Sequence, residues 1–185
     1  MFRFATLAIS FLFIAALGFA QIPSGNVFVG YSYLSADLVP GDRANLNGWN
    51  ASVEGRVLPL LGIVADFSGH YGSQNFPQLA GCSGCASPSN SVHQENYLFG
   101  PRLSFSVGKF RPFVHALIGA SHISESAGPS PSDSDTSFSD AIGGGVDYHL
   151  IPLISWRVQA DALQTRFFGA TQQNVRISTG ITFHF

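Results

Sequence analysis

Charge is the scarcest commodity in this chain: Asp, Glu, Lys and Arg together make up 11% of its 185 residues, where soluble chains average about 25%. With 17 phenylalanines beside so little charge, a water-soluble domain of this length would be short of solvating surface, which points to lipid over much of its outside. There is no cationic excess either, with 9 Lys and Arg against 11 Asp and Glu. Nucleic acid, whose binding needs clustered basic residues, is thereby excluded as a partner. Past the N-terminal segment no run of 18 apolar residues occurs, which excludes a membrane-spanning helix. Only two cysteines are present, so no second pair is available for a four-ligand zinc site.

What is present begins with an address. Arg3 is the one early charge, Phe4 to Leu17 is apolar apart from Thr6 and Ser10, and Gly18-Phe19-Ala20 offers small residues for cleavage before Gln21. Residues 1–20 therefore read as a cleaved secretory signal peptide, leaving residues 21–185 as one domain.

In that domain apolar and polar residues alternate with period two, the mark of strands with one greasy and one wet face. Eight segments carry the pattern: Asn26 to Ala36, Asn47 to Leu58, Leu61 to Tyr71, Asn96 to Val107, Arg111 to Ile123, Phe138 to His149, Ile154 to Phe167 and Asn174 to Phe185. Each is long enough to cross a bilayer when tilted. The connections alternate between long, as in Asp37 to Leu46 and Gly72 to Glu95, and tight, as in Pro59-Leu60 and Gly108-Lys109-Phe110. Long outer loops, short inner turns and an even strand count describe an all-β fold, an eight-stranded antiparallel up-and-down transmembrane β-barrel with both termini in the periplasm.

Facing decides the class of barrel. Trp49, Ala51, Val53 and Val57 oppose Asn50, Ser52, Glu54 and Arg56; Trp156, Val158, Ala160 and Ala162 oppose Ser155, Arg157, Gln159 and Asp161. A lipocalin-type barrel has the same strand count with the faces reversed. Tyr31, Tyr33, Trp49, Tyr71, Tyr97, Phe105, Tyr148, Trp156, Phe183 and Phe185 lie on the apolar face near strand ends, where interfacial girdles sit, and they favour the membrane reading. The fifth strand is ambiguous by parity, with His115 and Gly119 placed inside.

An inward polar face gathers Glu54, Asp66, Asp147 and Asp161 with Arg56, Arg102, Arg157 and Arg176. Because an eight-stranded barrel is just wide enough for side chains to fill, balanced charge there implies ion pairs, and matching depths suggest Asp66 with Arg102, Asp147 with Arg157 and Asp161 with Arg176. The structural consequence is a polar core; the functional alternative is a gated narrow pore.

Asn45-Leu46-Asn47-Gly48-Trp49-Asn50-Ala51-Ser52-Val53, Ala65-Asp66-Phe67-Ser68-Gly69-His70-Tyr71-Gly72, Gln159-Ala160-Asp161 with Thr165-Arg166-Phe167, and Arg176-Ile177-Ser178-Thr179-Gly180-Ile181 together resemble the outer-membrane protein β-barrel domain family, which includes OmpA-type and other small porin-like proteins. The resemblance implies the bacterial outer membrane, with its lipid and lipopolysaccharide as surroundings. It further implies that the last strand, with Ile181, Phe183 and Phe185 as its signature, is the segment read by the barrel-insertion machinery.

Catalytic constellations are thin. Cys82 and Cys85 form a CxxC in the longest outer loop, where a small structural disulfide is the expectation in an oxidising compartment. His122 and Ser124, followed by Glu125, are faintly similar to the arrangement in outer-membrane lipid A deacylases, with Ser as nucleophile, His as base and an acid as orienter. The surrounding motif does not match, and the ordinary reading is two rim polar residues. The remaining histidines, His70, His93, His149 and His184, look too scattered for a metal site. Glu125, Asp133, Asp135 and Asp140 lack the spacing of a calcium loop. The expectation is a monomeric barrel without catalytic residues, cofactor or metal, in a structural or surface-interaction role with an unidentified extracellular ligand. The alternatives are a narrow channel for small solutes and a lipid A-modifying enzyme.

Overall fold

The computed structural model describes residues 24–39, 42–75, 89–126 and 133–185. Eight strands follow one another: β1 Gly25–Val39, β2 Asp42–Arg56, β3 Leu61–Asn75, β4 Ser89–Ser104, β5 Phe110–Ser126, β6 Asp133–Ile151, β7 Ile154–Thr165 and β8 Gln172–His184. Each pairs antiparallel with its sequence neighbour, and β8 returns to β1, so the sheet is a closed barrel. The seam is completed by the Gly25 and Phe185 backbones, each N–H donating to the other's carbonyl at 2.8 and 3.0 Å. Closure leaves no backbone edge unpaired, the condition for a sheet to cross hydrocarbon.

Turn chemistry separates the two ends. On the side of the termini, Val107 and Phe110 bond each other's backbone around Gly108, whose φ of 60° suits a residue without Cβ. At the opposite end β7 and β8 are joined through a 3-10 turn over Phe167–Gly169.

The strands run further towards that opposite end than alternation suggests. β2 starts at Asp42 rather than Asn47, and β4 at Ser89 rather than Asn96. Ser35 pairs with Asn45, Gly72 with Val92 and Asn75 with Ser89. There the outward residues are polar, so the apolar face of the bilayer-crossing stretch no longer marks the strand while the backbone ladder continues.

Across the middle of the barrel the outer face is hydrocarbon. Val29, Val53, Ile63, Phe99, Leu103, Val114, Ile118, Ile142, Val158 and Ile177 are all exposed. The alternate positions are buried and polar, among them Ser52, Asp66, Asn96, Arg102, His115, Arg157 and Arg176. The fifth strand is settled by its burial: Phe113, His115, Leu117 and Ser121 point inwards, Val114, Ala116 and Ile118 outwards. Apolar outside with polar inside is the transmembrane arrangement and not the lipocalin one. Phe105, Phe110, Trp156, Phe183 and Phe185 are exposed around the end that holds the termini; Tyr31, Trp49, Tyr71, Tyr97 and Phe138 are exposed towards the other, and these form two aromatic belts.

Candidate functional site

Nearly half of the chain's few charged residues lie in the lumen. Arg157 on β7 sits directly opposite Asp147 on β6 in the hairpin register and grips it through Nε at 2.6 Å and Nη2 at 2.8 Å. Asp161 on β7 faces Arg176 on β8, which donates to its Oδ2 from Nε at 2.9 Å and Nη2 at 2.7 Å. The third contact differs from expectation. Asp66 is held by Arg176 Nη1 at 2.7 Å, across the lumen, and Arg102 donates instead to Glu54 at 3.1 Å.

Register explains the exchange. Asp66 lies opposite Leu98 on β4, whereas Arg102 lies opposite Gly62, four residues lower, a drop of roughly 13 Å along a strand. Gly62 has no side chain, and a Cβ there would fall 2.6 Å from Glu54 Oε1. Its absence lets Glu54 lie over β3 and meet Arg102 from the far side.

The contacts join into one run. Asn26 donates to Glu54 at 2.8 Å and accepts from Arg157 at 3.2 Å. Arg102 Nη2 meets His115 Nδ1 at 3.1 Å, and His115 Nε2 meets Asp161 Oδ1 at 2.7 Å. Arginine can only donate, so Nδ1 is the acceptor and the ring proton on Nε2 points at Asp161. Phe113 stands between two guanidiniums, 4.3 Å from that of Arg102 and 4.8 Å from that of Arg157, where its ring face attracts both. A Cβ at Gly143 would fall 2.1 Å from Asp161 Oδ1, so that glycine keeps the carboxylate's place open.

Two members differ from the expected set. Arg56 is half-buried, makes no ion pair among the described residues, and its Nε is buried without a partner; its register partner on β3 is Gly62, which offers no carboxylate. Arg111 takes the place expected for it, donating to Glu54 at 3.5 Å and to Ser104 at 2.7 Å. Parity with His115 on β5 would have found it.

Towards the outer end the lumen changes character. Leu34, Ala36, Ala44, Leu46, Val92, Ile123, Leu163 and Phe167 are buried there and belong to one apolar cluster, beside the buried polar Ser139, Thr165, Gln172 and Asn174; the expectation of a polar interior did not include the cluster. Outward neighbours in the same stretches, Asn45, Asn47, Ser73, Ser91, Thr136, Arg166 and Gln173, are exposed and polar.

The other singled-out residues fall as follows. His122 and Ser124 face outwards near the upper belt, and His122 Nδ1 is bonded to the Thr136 hydroxyl at 2.7 Å rather than to an acid. His149 and His184 are brought together, both bonded to Ser155 at 2.9 and 2.8 Å with rings 5.2 Å apart. Among the described residues no group of three or more His, Cys, Asp or Glu could hold a metal ion. Ile181, Phe183 and Phe185 are exposed on the outer face of β8 and its end. Cys82, Cys85 and the expected signal peptide lie outside the described residues.

No family model matches the chain, and no curated protein does. Solved structures do. The crystal structure of Ail, the attachment invasion locus protein of Yersinia pestis, in complex with the heparin analogue sucrose octasulfate, superposes with a TM-score of 0.60 at 15% identity, covering 88% of this chain and 98% of that one. Neisserial surface protein A gives 0.62 at 14% identity over 88% and 96%. The N-terminal β-barrel domain of Pseudomonas aeruginosa OprF gives 0.53 at 13% identity over 87% and 99%. Together with the lipid-facing exterior, these likenesses show the fold: a closed eight-stranded barrel of the bacterial outer-membrane kind.

Proposed function

We propose that this protein is a non-enzymatic, monomeric outer-membrane barrel whose lumen is sealed and whose outer hairpins carry its role at the cell surface. The observation that carries this reading is the filled lumen. A continuous run of hydrogen-bonded charges occupies the lower part, and a buried apolar cluster extends from its level to the outer end. A water path would have to break both, and removing one partner of a buried pair costs about 3–5 kcal/mol. The charge-paired interior acts as scaffold, holding a stiff platform for the loops.

The outer end limits what those loops can meet. Asp37, Asp42, Glu95, Glu125, Asp133, Asp135 and Asp140 belong to its strands and are accompanied there by Arg43 and Arg166. This acidic balance suits cationic or neutral surfaces and opposes a sulfated polyanion of the kind Ail holds. Lipopolysaccharide and outer-membrane lipid surround the belt, and the β8 face with Ile181, Phe183 and Phe185 addresses the insertion machinery.

Recording in planar bilayers tests the reading. A sealed barrel inserts, shown by slower gel mobility after boiling, and gives no unitary current steps; regular steps at low voltage would overturn it in favour of a solute channel. Unaltered lipid A mass on overexpression is the expected companion result.

A further inference from the structure

We propose that the lower mouth of the lumen, on the side of the termini, is a binding site for a phosphate-type oxyanion. The inference rests on the barrel reading but not on the lumen being sealed. In the lowest part of the lumen four guanidiniums, Arg56, Arg102, Arg111 and Arg157, face two carboxylates, Glu54 and Asp147. Both carboxylates are already committed. Glu54 accepts from Arg102, Arg111 and Asn26, and Asp147 accepts twice from Arg157. The acids higher up, Asp66 and Asp161, are taken by Arg176 and His115. Positive charge at this level is therefore in local excess.

Unused donors tell the same story. Arg56 Nε, Arg102 Nε and Arg157 Nη1 are buried N–H groups without a partner, and the Thr182 hydroxyl is a fourth orphan. Arg102 and Arg157 are wholly buried. A buried donor left unmade is costly, and three orphaned arginine donors towards the lower end of the lumen suit the several acceptor oxygens of one tetrahedral anion. Arg56 and Arg111 lie within electrostatic reach of each other; Arg111 is buried, and Arg56, half-buried, is the member that reaches solvent. His149 and His184, also within reach of Arg111 and Arg157 in the case of His184, add no competing negative charge. The ligand is free phosphate or the phosphate of a phospholipid headgroup in the inner leaflet.

The test is calorimetric titration of inorganic phosphate into the full barrel refolded in a maltoside detergent, at constant ionic strength with chloride as the background anion. The expected result is saturable one-site heat, weakened about tenfold or more in Arg56→Gln, as loss of a charged hydrogen bond implies, largely restored in Arg56→Lys, and unchanged in Arg43→Gln at the opposite end. Absence of saturable heat means water fills the donors and overturns the site; equal affinity in Arg56→Gln means an adventitious ion only and does the same. If Arg56→Gln fails to fold, phenylglyoxal modification of the unaltered protein decides. Phosphate must slow modification of Arg56 and leave exposed Arg43 and Arg166 unaffected, and equal slowing at all three, or at none, overturns the proposal. Repeating the titration in phospholipid nanodiscs separates the sources, since a headgroup ligand abolishes the heat there and free phosphate as ligand keeps it. Bilayer currents, read separately, report on sealing alone.

Discussion

Below the upper aromatic belt the strands send charge inwards and hydrocarbon outwards; above it apolar side chains join the polar ones inside, and polar side chains stand outside. Ile142 on β6 is exposed to lipid and Asp161 next door is buried, yet Asn45 on β2 is exposed and its neighbours Ala44 and Leu46 are buried. The backbone ladder is unbroken through both stretches. What changes is the solvent around the barrel, and each face takes the side chains that its own surroundings make cheapest to place there. The outer end is thus built like a small soluble barrel standing on a membrane one, with Phe167 and Leu163 serving as core.

The sharpest way to break this comparison is Arg176→Ala, which strips two buried carboxylates of their partner. The expected loss is about 3–5 kcal/mol, read as a large fall in the urea midpoint of the refolded barrel or as failure to refold. Next comes Phe167→Ala, expected to cost about 3 kcal/mol as a core cavity but to act locally. Limited proteolysis should cut the outer hairpins sooner while the lower barrel stays protected, and uniform protection would deny the upper core its separate role. Placing the same cation on the outer face of each region then sharpens the contrast. Ile142→Lys meets hydrocarbon and should cost about 2–4 kcal/mol. Asn45→Lys meets water and should change stability by no more than about 0.5 kcal/mol, and equal costs at the two sites would remove the distinction between the regions.

Much of the barrel is readable from residue order alone, because period-two alternation over the lipid-facing stretch and turn residues between stretches mark every strand. Strand ends are not, since residues such as Ser35, Asn45, Ser73 and Ser91 are polar where the ladder still runs. Contacts between directly opposed residues of one hairpin, Asp147 with Arg157 and Asp161 with Arg176, follow from spacing. Those between strands that are not neighbours do not. Asp66 meeting Arg176 depends on how β8 closes on β1, and Glu54 meeting Arg102 depends on the missing side chain at Gly62. The inversion at the outer end is invisible for a different reason. Alternation reports that two faces differ and is silent about which one touches oil.

The seam between Gly25 and Phe185 has a kinetic consequence. Its two backbone bonds join the chain's first described strand to its final residue, so the contact that closes the ring spans nearly the whole polypeptide and pays the loop-closure entropy that such separation demands. Until β8 arrives, β1 and β7 each present a raw row of N–H and C=O groups, intolerable in hydrocarbon and sticky in water. There is accordingly no gently damaged version of this barrel. A chain lacking its final strand is an open ribbon with two adhesive borders.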